Sequence, residues 1–161
     1  MMMSERLVVG VISDTHGLLR PEALRELAGS DYVIHAGDIG DEEILQALRA
    51  IAPLTVVRGN VDVEAWALKL PYGDMLEVGG VRIYVVHDLA TLDIVPASAG
   101  VSVVVCGHSH HPDIFTRNGV TFLNPGSAGP RRFRLPITVA RIEIANGQAR
   151  AKIVEVVLDD E

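Results

Sequence analysis

Five apolar runs along this chain each stop at a short cluster of Asp, Asn, Gly and His residues. Leu7–Ile12 leads into Asp14-Thr15-His16, Tyr32–Ile34 into Gly37-Asp38, and Leu54–Val57 into Gly59-Asn60-Val61-Asp62. Val81–Val86 leads into His87, and Val101–Val105 into Gly107-His108-Ser109-His110. Short continuous runs of Val, Ile and Leu are what strands buried on both faces require. Five of them ending in the same class of side chain constrain the fold tightly. Strand ends that carry oxygen and imidazole donors can converge on one point of a folded sheet, and donors of these two kinds suit borderline divalent metals.

The first third of the chain alternates strand and helix patterns. Pro21–Leu27 reads as a helix with Pro in its first turn. Asp41–Ala50 reads as a second helix, with Asp41, Glu42 and Glu43 suited to the positive N-terminal end of its dipole. This βαβαβ order implies a parallel sheet. The remainder is richer in hairpins. Gly79-Gly80 separates Met75–Val78 from Val81–Val86, Asn118-Gly119 separates Ile114–Thr116 from Val120–Phe122, and Asn146-Gly147 separates Ile137–Ile144 from Ala149–Leu158. Such dipeptides favour two-residue hairpin turns. Thr91–Ala99 reads as a short helix. The whole is an α/β domain with two packed sheets, expected as one domain over 1–161.

Bulk properties exclude several classes of function. At 161 residues the chain can bury one sizeable core, and with aromatics at 4% that core must be aliphatic. No apolar run reaches the ~18–20 residues of a membrane-spanning helix, and the opening Met1-Met2-Met3-Ser4-Glu5-Arg6 does not read as a signal peptide. The one cysteine, Cys106, cannot form an intrachain disulfide, which fits a cytoplasmic location. Cys106 lies in a Val-rich strand and reads as an inert buried thiol. The net charge of −7 is a poor match to duplex nucleic acid. An anionic ester is still an acceptable substrate if bound cations reverse the sign locally.

The order D-x-H, G-D, G-N-x-D, H, G-H-x-H resembles the calcineurin-like metallophosphoesterases, over about Val9 to Arg131. In size and detail it is similar to the small YfcE-type phosphodiesterase branch, which also resembles the retromer small subunit. The resemblance implies a four-layer αββα sandwich of two mixed sheets flanked by helices, with metals at one end of the sheets. It implies that Asp14, His16 and His110 bind one ion, that Asn60, His87 and His108 bind a second, and that Asp38 bridges both. Asp38, Asn60 and His108 are the expected catalytic positions. The implied activity is hydrolysis of a small phosphodiester by a hydroxide held between two divalent ions. Mn²⁺ is the first choice, and Fe, Zn, Ni or Co are acceptable to the same donors. A homo-oligomer is compatible with the family. The alternative is a non-catalytic protein-binding scaffold of the same fold, like the retromer small subunit.

Plainer readings stand beside these. Asp14 and Asp38 follow strands and could cap helices, although Asp41 competes for that role. Asn60-x-Asp62 also reads as a turn, and His87 as a rim histidine. His35 reads as a packed residue, or as one that orients a carboxylate. His111 reads as facing solvent or substrate, and Trp66 as a packing residue. Asn124-Pro125-Gly126-Ser127 resembles a turn of the small branch and makes Asn124 a candidate substrate contact. Arg131 is either a phosphate contact or, with Arg132, a solvated surface residue. Two positions depart from the family. Val61 stands where many members carry a histidine that protonates the leaving group, and general-acid loss of ~10²–10⁴-fold favours acidic leaving groups. Asp88 stands where many have glycine, and either fixes His87 or ends its strand.

Overall fold

The alternating first third folds as its pattern requires. In the computed structural model, which describes residues 6–159, β1 (Leu7–Ile12), β2 (Tyr32–His35) and β3 (Leu54–Val56) are parallel neighbours. The opening residues 1–5 lie outside the described residues. The crossovers are α1 (Pro21–Leu27) and α2 (Glu42–Arg49). Asp41 is the N-cap of α2, its carboxylate accepting from Glu43 N–H at 2.9 Å. With Asp41 in that role, Asp38 is left for other work. The amphipathic α2 buries Ile44, Leu45 and Leu48.

The terminal hairpin, β9 (Thr138–Ala145) and β10 (Gln148–Glu155), adds antiparallel to β1, giving the first sheet the order β10-β9-β1-β2-β3. The second sheet is β4 (Gly73–Val78), β5 (Val81–Val86), β6 (Val103–Val105), β8 (Val120–Asn124) and β7 (Asp113–Arg117), in that spatial order. Its inner strands β5, β6 and β8 are parallel, and the edge strands are antiparallel. All three hairpin turns place both central residues at positive φ, as the turn dipeptides require.

Three aliphatic clusters hold the layers. Val9, Val11, Ile34, Val85, Val105 and Ile142 fill the space between the sheets. Ile12, Leu27, Val33, Leu45 and Leu48 pack the helices onto the first sheet. Val86, Val104, Val120 and Phe122 face outward from the second sheet. Each fully buried aliphatic side chain contributes roughly 1.5–3 kcal/mol. The cover over the last cluster differs from the helix expected at Thr91–Ala99. Only Leu89–Thr91 is helical, a single 3₁₀ turn capped by Asp88, and residues 96–100 follow as turns. Pro96 has no N–H to give a helix, and its ring disfavours helical geometry at Val95.

The six strands that run parallel within their own sheets, β1, β2, β3, β5, β6 and β8, end at one edge of the sandwich. Carboxyl ends of parallel strands are where α/β folds present ligand-binding loops.

Candidate metal centre

Each site residue sits in the turn that leaves one of these strands. Asp14 and His16 follow β1, Asp38 follows β2, Asn60 follows β3, His87 follows β5, and His108 and His110 follow β6. The turns after β1 and β2 stay in register through Asp14 N–H to Gly37 O at 3.0 Å, His16 N–H to Asp38 O at 2.9 Å and Gly17 N–H to Ile39 O at 2.8 Å. Asp14, His16, Asp38, His108 and His110 all have positive φ, between 45° and 75°. Residues other than glycine adopt that region at a cost of roughly 1–2 kcal/mol each, and such strain collects at functional sites.

The donors form two groups. Asp14, His16 and His110 are one, Asp38, His87 and His108 the other, with the ligand atoms of each group within 4.8 Å of one another. In the first, His16 Nε2 lies 3.3 Å from His110 Nε2 and 3.8 Å from Asp14 Oδ1, and His110 Nε2 is 3.5 Å from Asp14 Oδ1. Ligands about 2.1 Å from one ion stand about 3.0–3.4 Å apart, so small adjustments bring this trio onto a cation. In the second, Asp38 Oδ2 is 3.1 Å from His87 Nε2, and Asn60 Oδ1 is also 3.1 Å from that nitrogen. The groups meet at Asp38, whose Oδ2 is 3.7 Å from His16 Nε2. A single oxygen of Asp38 therefore faces both groups. Its Oδ1 accepts from Val61 N–H at 3.0 Å.

Asp14 shows most directly that the pocket fits a cation. The residue is fully buried, and its Oδ1 has no hydrogen-bond partner. That oxygen is ringed by the Nε2 atoms of His16, His110 and His87, the last at 4.0 Å. Its Oδ2 accepts from Ser13 Oγ at 2.7 Å and from His108 N–H at 3.1 Å. A buried carboxylate oxygen without a partner is costly, and a metal ion is the natural occupant of the space it faces.

Electrostatics agree. Burial pushes the Asp14 carboxyl up, but His16, the charges of His87 and His110, and Ser13 together hold it below its ordinary value. Asp38 is held low in the same way, against burial, by His87 and the Val61 N–H. Burial opposes a charge on His87, yet Asp38, Asp14 and the Ala36 carbonyl hold its pKa above the ordinary value. His87 Nδ1 donates to Ala36 O at 2.8 Å, which points Nε2 at the centre.

The supporting residues include some that sequence reasoning underrated. Asp62, read with Asn60 as part of a turn, does more than close it. Its Oδ2 accepts from Asp38 N–H and Gly59 N–H, each at 2.9 Å, and its Oδ1 from Ile39 N–H at 2.9 Å and Gly40 N–H at 3.3 Å. This carboxylate fixes the Asp38 turn. A Cβ at Gly59 would overlap Asp38 Oδ1 and N, so only glycine fits beneath the Asp38 carboxylate. His35 is fully buried and lies outside both groups. Its Nδ1 accepts from Gly37 N–H at 3.0 Å, its Nε2–H donates to Thr15 Oγ1 at 2.9 Å, and Thr15 donates to Ile39 O at 2.8 Å. Only the neutral ring satisfies that chain, and burial lowers its pKa to about 4.

Asn124, a candidate substrate contact, is buried in the wall of the cleft beside His108; its Nδ2 donates to Gly107 O at 3.0 Å and Ser109 Oγ at 3.1 Å while its Oδ1 accepts from Gly126 N–H at 2.9 Å. It braces the His108–His110 loop. Ser127, from the same turn, donates to Asp14 O at 2.9 Å. Arg131 is exposed. Asp88 caps the 3₁₀ turn, and its Oδ2 lies 3.9 Å from His108 Nε2, so it does not fix His87. Trp66 packs beside the helix-side cluster, and burial with nearby carboxylates pushes the Cys106 thiol up to about 12. Among the described residues, no helix is long and apolar enough to cross a membrane.

Comparison with known proteins agrees with this geometry. The calcineurin-like phosphoesterase superfamily domain matches residues 7–147. A probable metallophosphoesterase of Methanocaldococcus jannaschii is 37% identical over 134 residues, covering 75% of this chain and 68% of that protein. Among solved structures, a novel archaeal phosphodiesterase superposes with a TM-score of 0.76 at 21% identity, covering 92% of this chain and all of the other. Vacuolar protein sorting 29 from Cryptosporidium parvum superposes with a TM-score of 0.74 at 20% identity, covering 93% and 97%. The chain therefore belongs to the calcineurin-like phosphoesterase superfamily.

Proposed function

We propose that this protein is a dinuclear-metal phosphodiesterase acting on small phosphodiesters, with Mn²⁺ as the working ion and the chain acting as one domain. The observation that carries the reading is Asp38 Oδ2, set between His87 Nε2 at 3.1 Å and His16 Nε2 at 3.7 Å, beside the unpartnered Asp14 Oδ1. Asp14, His16 and His110 would hold one ion; His87, His108 and Asn60 would hold the other; Asp38 would touch both. Two such ions supply charge neutralisation at the phosphoryl oxygens and an activated water.

The residues contribute positioning and restraint. The Ala36 carbonyl fixes the His87 ring, Asp62 fixes the Asp38 backbone, and Asn124 fixes the His108 loop. Val61, half exposed at the mouth, has no proton to give a leaving group. Substrates whose alcohol leaves without protonation are therefore preferred, and an aryl diester should outpace an alkyl diester by ~10²-fold or more. The solved archaeal neighbour is itself described as a phosphodiesterase. The scaffold alternative draws on the likeness to vacuolar protein sorting 29; a scaffold does not require the complete set of seven donors that this chain carries.

The test is turnover of bis(p-nitrophenyl) phosphate by Mn²⁺-reconstituted protein. Wild type should be active, and Asp38→Asn and His108→Ala should fall to background. Equal rates for wild type and both variants would remove the enzymatic reading.

A further inference from the structure

Two openings share His111, the residue after His110 of the metal centre. On the His108 side is a cleft of about 210 Å³ whose walls include Asp88, Cys106, His108, Asp113 and Phe115. Its fixed charges are carboxylates. The other is a broad opening of about 670 Å³ lined by His111, Phe133, Arg134 and Leu135. Its charges are of the opposite sign. Three of the four residues Arg131-Arg132-Phe133-Arg134 are arginine, in a chain whose net charge is −7. The loop leaves Gly129, where an added Cβ would meet the Asp14 and Thr15 carbonyl oxygens, and its Arg134 lines an opening together with His111, next in sequence to His110. The basic end of the site therefore adjoins the Asp14–His16–His110 group.

Phe133 is the second unusual feature of this loop. It is 89% exposed, the most exposed large hydrophobic residue among the described residues, and its backbone is left-handed at φ 56°. An aromatic residue in that region is an outlier, and strained positions of this kind collect at ligand clamps. An exposed ring flanked by guanidinium groups, beside a centre built for phosphoryl groups, matches the way proteins hold nucleotides. The ring stacks on the base and the arginines meet the negative charge.

We propose that the loop 130–136 is the substrate-recognition element of this centre, with Phe133 stacking on a planar base and Arg132 and Arg134 meeting the accompanying negative charge, so that the substrate class is a nucleotide-sized phosphodiester. The acidic cleft beside His108 then receives the uncharged part of the ester, which fixes the direction in which the diester lies. The inference rests on the phosphoesterase reading of the neighbouring centre.

The experiment compares AMP with ribose 5-phosphate by titration calorimetry on Mn²⁺-reconstituted protein. Both carry the same phosphate, and only AMP carries a base. AMP should bind at least about five-fold more tightly, the low end of a single base–aromatic stack. Phe133→Ala should erase that difference, Phe133→Tyr should keep it, and Arg132→Gln should weaken both ligands. Equal affinities in the wild type, or a base preference that survives Phe133→Ala, overturn the inference. Loss of self-association in Phe133→Ala with the preference intact also overturns it, by assigning the ring to a contact between copies. Aryl diester turnover separates the two levels. Metal-dependent turnover without a base preference removes only this inference, whereas absence of turnover removes the reading beneath it.

Discussion

Replacing Asp62 by Asn keeps the shape of the side chain and removes half of its acceptors. The carboxylate receives four backbone N–H groups, two on each oxygen. An amide oriented to keep Ile39 and Gly40 on its oxygen turns its NH₂ toward Asp38 N–H and Gly59 N–H. Those two donors are buried and would lose their acceptor. Each such loss costs about 1–3 kcal/mol, so the substitution should destabilise the fold by about 4 kcal/mol. That is a large share of the roughly 5–15 kcal/mol available to a domain. For a chain of this length it corresponds to a fall in melting temperature of roughly 8–16 °C. The same two donors belong to the turn that carries Asp38 and to the glycine beneath it, so Mn²⁺ affinity should drop by ~10–100-fold, as for other groups that orient metal ligands. Urea unfolding of metal-free protein reads the first effect, and calorimetric Mn²⁺ titration at a temperature where the variant is folded reads the second. Wild-type stability with wild-type affinity in Asp62→Asn would refute the claim that this carboxylate builds the site.

Two further perturbations follow from the same geometry. Gly59→Ala places a methyl group against the Asp38 carboxylate, which the Asp62 and Val61 contacts hold in place; Mn²⁺ affinity measured by calorimetry should fall more than ~10-fold, and unchanged affinity would contradict the packing described. His35 should titrate near pH 4 in the folded protein, by NMR, rather than near its ordinary 6.5; because the unfolded chain then binds more protons between those values, stability of the metal-free protein is intact above pH 6.5 and declines by roughly 3 kcal/mol as pH falls to 4.

The strand–turn pattern made much of this architecture legible. Continuous Val and Ile runs mark strands buried on both faces, and the hairpin dipeptides mark turns that need positive φ, so most of the strands can be placed from the sequence, though not their order in the sheets. The donor clusters were legible for the same reason, since each terminates a run. What could not be read depends on where separate turns meet. Nothing local reveals that Asp62 reaches back to the Asp38 turn, or that Asn124 reaches across to Gly107 rather than outward. The division of labour within the Asp38 carboxylate depends on the placement of the Val61 N–H, which periodicity does not report. The helix expected at Thr91–Ala99 does not form, because Asp88 and Pro96 break the segment into turns.

The central claim is that seven side chains from five loops hold a pair of divalent ions. Anomalous diffraction at the manganese edge, from crystals of Mn²⁺-soaked protein, tests it directly. The account predicts two peaks roughly 3.5–4 Å apart, one beside Asp14, His16 and His110, the other beside Asn60, His87 and His108, with Asp38 between them. No anomalous peak at this edge of the sandwich, or a lone peak away from Asp38, would contradict it.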